Sequence, residues 1–254
     1  MSKDTTDDPG SSDDPHTTTR GQNPDGRQQI ARLSMPQSVV SLLLNAVAGW
    51  VDAVGYLALL ASVQMFPSFM SGNLTKIVTG AVTGDGRKSL MIAGGVLAFF
   101  AGGVVGRLVN GGEARRDPVS LSLVAALLGV AAINLLAGGH EYLTLLALAA
   151  GMGMINHAFS GHMHFKVRTF LSGLWLTLSA AVADVIAGRS GWRVIVVPLV
   201  TLLSVLSGAF AGALSVTHAT LVVSIVVPAA VIVAVVVALL AGLVREEDGS
   251  DPDG

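Results

Sequence analysis

The sequence predicts an all-α membrane protein: a polytopic helical bundle of six to eight transmembrane elements, built from two related halves with a broken or short helix in each. Three observations lead to this fold class. The chain of 254 residues is 52% hydrophobic and only 13% charged, whereas a soluble domain carries about 25% charged residues. Several apolar stretches reach the roughly 20 residues that a helix needs to cross a bilayer. A polar pattern around residue 52 recurs, weakened, about a hundred residues later.

Charged residues are concentrated at the two ends of the chain. Residues 1–36 contain six Asp and four basic residues, and residues 245–254 contain five acids and one Arg. Because the part between them could not cover a water-exposed surface, its natural solvent is a lipid bilayer. We expect 1–36 to be a disordered polar tail without a signal peptide, 37–244 to be the membrane domain, and 245–254 to be an acidic tail.

Six stretches have the length and apolarity of a transmembrane helix: 38–61, 89–109, 118–137, 141–160, 193–215 and 220–243. Pro118 begins one of them, where a proline costs no hydrogen bond. Pro198 and Pro228 lie inside two others and predict kinks. Two further stretches, 67–84 and 168–188, are ambiguous, because the first is short and each contains charged residues.

The two ambiguous stretches correspond to each other in an internal repeat with a spacing of 100–104 residues. The alignment pairs Ser71-Gly72 with Ser172-Gly173, and Gly49-x-x-Asp52 with Gly153-x-x-Asn156. Small residues recur every four positions in the third element of each half, as expected for helices that approach closely in lipid. The halves cover about 38–137 and 141–243, which is typical of a duplicated membrane domain.

The distribution of Lys and Arg depends on whether the ambiguous stretches cross the membrane. If both cross, the halves are parallel and the two sides carry six and five basic residues. If both enter and return on one side, the halves are inverted and the ratio is nine to three, in agreement with the positive-inside rule. We favour inverted halves, although the hydrophobicity of 168–188 supports the parallel arrangement. Both arrangements place both termini in the cytoplasm, and we expect the inner membrane of a bacterium.

Asp52 is the main candidate for a functional residue. An ionised carboxylate that faces lipid costs about 2.5–3.5 kcal/mol, so Asp52 must face the protein interior or water. At helical spacing it shares a face with Asn45, Gly49 and Tyr56. Lys76, beyond the break at residues 66–67, is its expected cationic partner. A purely structural ion pair, or a hydrogen bond to a helix end, is the alternative.

The segment Ser71-Gly72-Asn73-Leu74-Thr75 contains good helix N-cap residues. A helix that begins here would direct free backbone N–H groups into a cavity, where they bind anionic groups or order water. The alternative is that these residues cap a helix and do nothing else.

Asn156 and His157 are the counterparts of the Asp52 region in the second half. A histidine inside a membrane can relay protons, because its pKa lies near neutrality, or it can simply hydrogen-bond a neighbour. His162 and His164 form a two-histidine motif without a third ligand, so we predict no metal site there.

Two motifs resemble the signature of a known family. Residues 48–59 read AGWVDAVGYLAL and residues 69–74 read FMSGNL. They are similar to the pattern A-G-x-x-D-A-x-x-F/Y-L followed by M-T-G-N in the YoaK, or DUF1275, family of bacterial membrane proteins. The resemblance extends over roughly 38–243, with a poorer match to the second-half pattern, and Lys76 stands where the family usually has an apolar residue. It implies an inner-membrane protein of six to eight helices and supplies no activity.

The motifs of nucleotide-binding and hydrolytic enzymes are absent from the sequence, which also contains no cysteine. We therefore expect no enzyme, cofactor, metal or nucleic-acid partner, and leave the oligomeric state open. We expect a transporter- or permease-like protein for a small solute or ion, with a polar mid-membrane site drawn from Asn45, Asp52, Tyr56, Ser71, Asn73, Thr75, Lys76, Asn156 and His157.

The alternative is a non-transporting structural or interaction protein whose polar residues only hold helices together. A transporter would place Asp52 and Asn73 on a water-accessible cavity, whereas a scaffold would bury both in dry contacts.

Overall fold

The computed structural model describes residues 35–59, 63–111, 117–157 and 171–243. These ranges contain eight helices and no strand: α1 Met35–Leu57, α2 Met70–Val82, α3 Gly86–Asn110, α4 Asp117–Leu136, α5 Glu141–Ile155, α6 Leu171–Ile186, α7 Arg193–His218 and α8 Leu221–Leu240. The all-α prediction is confirmed. Residues 1–34, the pair His162 and His164, and the acidic tail lie outside the described residues.

Five of the eight helices are long and apolar enough to cross a membrane, namely α1, α3, α4, α7 and α8. The protein is therefore a helical membrane protein. At 13 residues α2 is shorter than a full span requires, and the described helix α6 has 16 residues. The described helix α5 has 15 residues, fewer than the span predicted over 141–160. It ends at Ile155, where the backbone N–H of His157 bonds the carbonyl of Met154 in a tight turn.

The helices α1 and α7 pack backbone against backbone. A Cβ atom on Gly49 would lie 2.1 Å from the carbonyl oxygen of Val205, and one on Gly208 would lie 1.9 Å from that of Ala46. The hydroxyl of Ser204 donates to a carbonyl of α1 at 2.5 Å. Because higher residue numbers in α1 meet higher numbers in α7, the two helices run parallel.

The helices α3 and α5 cross in the same manner. A Cβ on Gly102 would lie 1.9 Å from the carbonyl oxygen of Ala150, and one on Gly153 would lie 1.9 Å from that of Phe99. The hydroxyl of Tyr142, at the start of α5, donates to a carbonyl of α3 at 3.2 Å. This pair also runs parallel.

The remaining packing surrounds these two crossings. The helix α4 contacts α5 and α8, and α8 also contacts α1, where the indole of Trp50 donates to the carbonyl of Ser224 at 2.7 Å. The short helices lie at the sides, α2 on α3 and α6 on α7. Large apolar side chains such as Phe100 and Phe210 are exposed, which suits helices that face lipid.

Candidate functional site

The candidate site lies where α1 ends and α2 begins. Residues 63–69 fold back over the last turns of α1, and the ring of Pro67 packs against Gly55. A Cβ at Gly55 would lie 2.4 Å from this ring, so a glycine is required for the approach. Proline lacks an N–H and disfavours helix in the residue before it, which accounts for the interruption at this point of the chain.

The carboxylate of Asp52 holds this break through Ser68. One oxygen accepts from the backbone N–H of Ser68 at 2.6 Å, and the other accepts from its hydroxyl at 2.5 Å. Ser68 lies two residues before Met70, the first residue of α2. The carboxylate therefore sits close to the positive end of this helix dipole, where a negative charge is stabilised. Ser68 was not among the residues predicted for the site, since nothing in its spacing from Asp52 marks it as a partner.

The predicted ion pair between Asp52 and Lys76 is wrong. The ammonium of Lys76 donates to the carbonyl of Gln64, a residue with a left-handed φ of 51°. It also lies 4.9 Å from the ring centre of Tyr56 and 4.7 Å from that of Phe66. The ammonium of Lys76 therefore contacts a carbonyl and two aromatic rings, and not the carboxylate of Asp52.

The side chain of Asn73 closes the break from the other side. Its amide nitrogen donates to the carbonyl of Phe66 at 2.6 Å, and its amide oxygen accepts from the N–H of the same residue at 3.2 Å. Asn73 is fully buried. It thus supplies both hydrogen bonds that the backbone of Phe66 would otherwise lack inside an apolar environment.

Ser71 and Asn73 do not cap α2 as predicted. The N-cap is Phe69, without a side-chain hydrogen bond, and α2 already begins at Met70. The polar group that lies beside the start of this helix comes from α1, where Asp52 accepts from the N–H of Ser68, two residues before Met70. Ser71 and Thr75 are exposed, and the hydroxyl of Thr75 bonds the carbonyl of Ser71 at 3.2 Å.

A cavity of about 350 Å³ opens beside Asp52. Its walls are mostly apolar and come from α1, the break, the start of α6 and the middle of α7: Gly49, Asp52, Ala53, Tyr56, Leu57, Phe66, Phe69, Leu171, Val205, Leu206 and Ala209. Of the predicted site residues, Asp52 and Tyr56 line this cavity. Asn73 lies behind it as a support for Phe66. Phe66 and Phe69 were not among the predicted site residues, because in the sequence they are ordinary apolar residues on either side of Pro67.

Asn45, on the same face of α1 as Asp52, is fully buried and lies away from the cavity lining. Its amide nitrogen donates to the carbonyl of Ser41 at 2.9 Å, one turn earlier in the helix. Its amide oxygen is buried and has no hydrogen-bond partner among the described residues.

Asn156 and His157 lie at a different place, where the end of α5 meets the end of α3, which in turn bonds the first residue of α4. The amide of Asn110 donates to the carbonyl of His157 at 2.7 Å and to the carboxylate of Asp117 at 2.8 Å. Asn156 donates to the carbonyl of Met152 at 2.8 Å. Burial, with a smaller contribution from the charge of Arg107, lowers the pKa of the His157 imidazole below its usual range. The described contacts therefore bring Asp52 and Asn73 together on one break and place Asn156 and His157 elsewhere.

Within the described ranges, no three His, Asp or Glu side chains are arranged to hold a metal ion. Comparison with curated proteins and with solved structures gives no match. The sequence pattern of the family described as "Protein of unknown function (DUF1275)" matches residues 40–239. This match covers most of the chain and every described helix, although it leaves out the first residues of α1 and the last of α8. The chain therefore belongs to the DUF1275 family.

Proposed function

We propose that the protein is a permease-like membrane protein that moves a small solute through a site beside the α1–α2 break. The observation that carries this proposal is the position of Asp52, a carboxylate within a long apolar helix that lines a cavity of about 350 Å³. Carboxylates inside membrane segments are costly, and they commonly mark the paths of substrates and ions. Its neighbours form an interrupted helix, the element that transporters use to build sites at mid-membrane.

We further propose that the chain consists of two related halves, α1–α4 and α5–α8. The two glycine crossings support this. Gly49 meets the carbonyl of Val205 at the α1–α7 crossing, and Gly153 meets that of Phe99 at the α5–α3 crossing. The two glycines are 104 positions apart in the sequence, and their two partners are 106 positions apart. The first helix of each half thus packs on the third helix of the other half through equivalent atoms.

The buried faces of α4 and α8 support the same relation. In α4 the buried residues include Ser120, Leu121, Val124, Leu128, Ala131 and Ala132. In α8 they are Ser224, Ile225, Pro228, Ile232, Val235 and Val236. Each residue of the second set follows its counterpart in the first by 104 positions. The same offset of 104 residues thus relates Gly49 to Gly153 and the buried face of α4 to that of α8.

The direction of the short helices favours inverted halves. Within the described residues no Cα atom of α1 lies within 8 Å of one in α2, although Asp52 bonds Ser68 across the break and the Lys76 ammonium reaches the ring of Tyr56. The two helices therefore diverge, so α2 continues away from α1 instead of returning along it. The helix α3 then returns beside α2, where the hydroxyl of Ser89 donates to the carbonyl of Ile77 at 2.9 Å. On this reading α1 and α3 are antiparallel, and so are the equivalent helices α1 and α5.

Inverted halves would bring the starts of both short helices to one place. Phe69, which precedes α2, and Leu171, which begins α6, line the same cavity. From there α2 and α6 would run toward opposite faces of the membrane. We place the protein, as part of this proposal, in the inner membrane of a bacterium with both termini in the cytoplasm, with no enzymatic activity and with lipid as its surroundings.

The rival function is a membrane scaffold, and one observation favours it. Both oxygens of Asp52 already accept hydrogen bonds from Ser68, so the carboxylate has a structural task whether or not a solute binds. The two functions differ in whether the cavity is reached by water and whether anything passes through the protein.

The test uses the natural absence of cysteine. In proteoliposomes, a cysteine introduced as Ala53→Cys should react with a membrane-impermeant thiol reagent, because Ala53 lines the cavity. Stopped-flow swelling with a panel of small solutes should show faster entry of at least one solute than in empty liposomes, and Asp52→Asn should abolish this increase. The matched control is Asp184→Asn, a carboxylate that pairs with Arg189 away from the cavity. An unreactive Ala53→Cys together with no accelerated solute would identify a scaffold.

A further inference from the structure

We infer that the cavity beside Asp52 takes a small organic cation, an ammonium group with an apolar body. This inference rests on the proposed function and names the substrate class of the same site. Three properties of the cavity carry it: its charge, its aromatic walls and its size.

The described wall of the cavity carries a negative charge. Among the described lining residues Asp52 is the only charged one, and none of them is Lys, Arg or His. The described donors to the carboxylate are the N–H and the hydroxyl of Ser68 and the N–H of Phe69, all of them neutral. A carboxylate offers about four acceptor sites, so an acceptor direction remains. An ammonium ion would supply both the missing charge and the remaining hydrogen bonds.

The aromatic side chains beside the carboxylate already hold a cation. The rings of Tyr56 and Phe66 stack at 4.6 Å, and that of Phe69 meets Phe66 edge-on at 6.0 Å. The ammonium of Lys76 lies within 5 Å of the first two ring centres. Both rings thus lie within the distance, about 6 Å, at which aromatic rings attract a cation.

The size of the cavity and its apolar walls indicate a small solute whose uncharged part is apolar. At about 350 Å³ the cavity lies at the lower end of the range for small-molecule sites, roughly 300–1,000 Å³. Beyond Asp52 and Tyr56 its side chains are apolar, as in Leu57, Val205 and Leu206. A sugar or another neutral polyol would leave most of its hydroxyls unpaired here, and an anion would be repelled by Asp52.

The experiment compares three probes of one shape and different charge: n-butylammonium, n-butanol and butyrate. Each is titrated into purified protein in detergent, and binding is followed by calorimetry and by the shift in melting temperature. We expect saturable binding of n-butylammonium only. Asp52→Asn should weaken it by more than about a hundredfold, and Tyr56→Leu by about three- to thirtyfold. Asp184→Asn should bind like the wild type.

A second measurement covers the case in which Asp52→Asn does not fold. In the Ala53→Cys variant, a cationic methanethiosulfonate reagent should react at least about tenfold faster than an anionic one of similar size, because it is attracted to Asp52. The control is Thr83→Cys in the exposed α2–α3 turn, where the ratio should be markedly smaller. An equal ratio of cationic to anionic reaction rates at the two positions would overturn the inference. Binding of butanol or butyrate as tight as that of n-butylammonium would also overturn it.

The two proposals fail differently. If n-butylammonium binds but no solute enters faster, the inferred ligand class stands and the proposal that the protein is a permease is contradicted. If neutral solutes or anions enter faster but n-butylammonium does not bind, the permease proposal stands and the inference of a cationic substrate is contradicted.

Discussion

At the residue scale, two polar side chains hold one short segment of irregular backbone. Asp52 binds Ser68, and Asn73 binds both backbone groups of Phe66. In an apolar environment an unpaired backbone group is costly, so the interruption in the helix can persist only while such side chains satisfy it. The aromatic wall of the cavity depends on the same segment, because Phe66 and Phe69 flank Ser68.

Asn73→Ala should destabilise the protein by about 2–4 kcal/mol, since it leaves both the N–H and the carbonyl of Phe66 without their partner. The free energy of unfolding in mixed detergent micelles measures this. Thr75→Ala, in the exposed part of the same helix turn, should change it by no more than about 0.5 kcal/mol. Equal effects of the two substitutions would show that Asn73 does not secure the break.

Asp52 and Ser68 should be energetically coupled. In a double-mutant cycle with Asp52→Asn and Ser68→Ala, we expect a coupling of about 1.5–3 kcal/mol, the range for hydrogen bonds to charged groups. Additive effects would mean that the short contacts between these two residues contribute little to stability.

The importance of Asp52 could be predicted from sequence, whereas its partner could not. A carboxylate in an apolar helix must find donors, but which donors depends on how residues 63–69 fold back. The expected partner Lys76 has a long stem that carries its ammonium to Gln64 and the aromatic rings. No pattern in the sequence distinguishes that destination from Asp52. The cap predicted at Ser71 was also wrong, because α2 already begins at Met70.

At the scale of elements, glycine determines where the long helices cross. The crossings of α1 with α7 and of α3 with α5 bring carbonyl oxygens to within about 2 Å of the position a Cβ would occupy. Such contacts cannot be relieved by a side-chain rotation, because the neighbouring atom belongs to backbone. The small-residue pattern in α3 and α7 was visible in the sequence, but its partners were not: the pattern in α3 faces α5, and the pattern in α7 faces α1.

Gly49→Ala and Gly153→Ala should each separate a helix pair and destabilise the protein, by about 1–3 kcal/mol for an overpacked contact. Gly129→Ala in α4 is the matched control, since nothing lies within 4 Å of its Cβ position. There the substitution should be neutral or should stabilise by up to about 1 kcal/mol through helix propensity. Unfolding in mixed micelles checks all three. Tolerance of alanine at Gly49 and Gly153 would contradict the close crossings.

Five of the six predicted spans correspond to the five long helices, and the two ambiguous stretches contain the described helices α2 and α6. Hydropathy identifies apolar length but not where a helix stops within it. The described part of α5 is shorter than predicted because Asn156 and His157, at the polar α3–α4 junction, end the helical hydrogen bonding. Positions of this kind depend on contacts with other helices and leave little trace in hydropathy.

At the scale of the whole molecule, the account depends on two halves that run in opposite directions through the membrane. Charge counts in the sequence left two arrangements open. The inverted arrangement that we propose is based on the separation of the described backbones of α1 and α2. In that arrangement α2 and α6 would run to opposite faces of the membrane from the cavity beside Asp52.

The most direct test of this account labels the two equivalent turns that follow the short helices. Thr83→Cys lies in the exposed turn after α2, and Ala187→Cys in the exposed turn after α6. In right-side-out and inside-out vesicles, an impermeant thiol reagent should label Thr83→Cys from one side only and Ala187→Cys from the other side only. Labelling of both positions from the same side would contradict inverted halves, and with them the meeting of the two short helices at one central cavity.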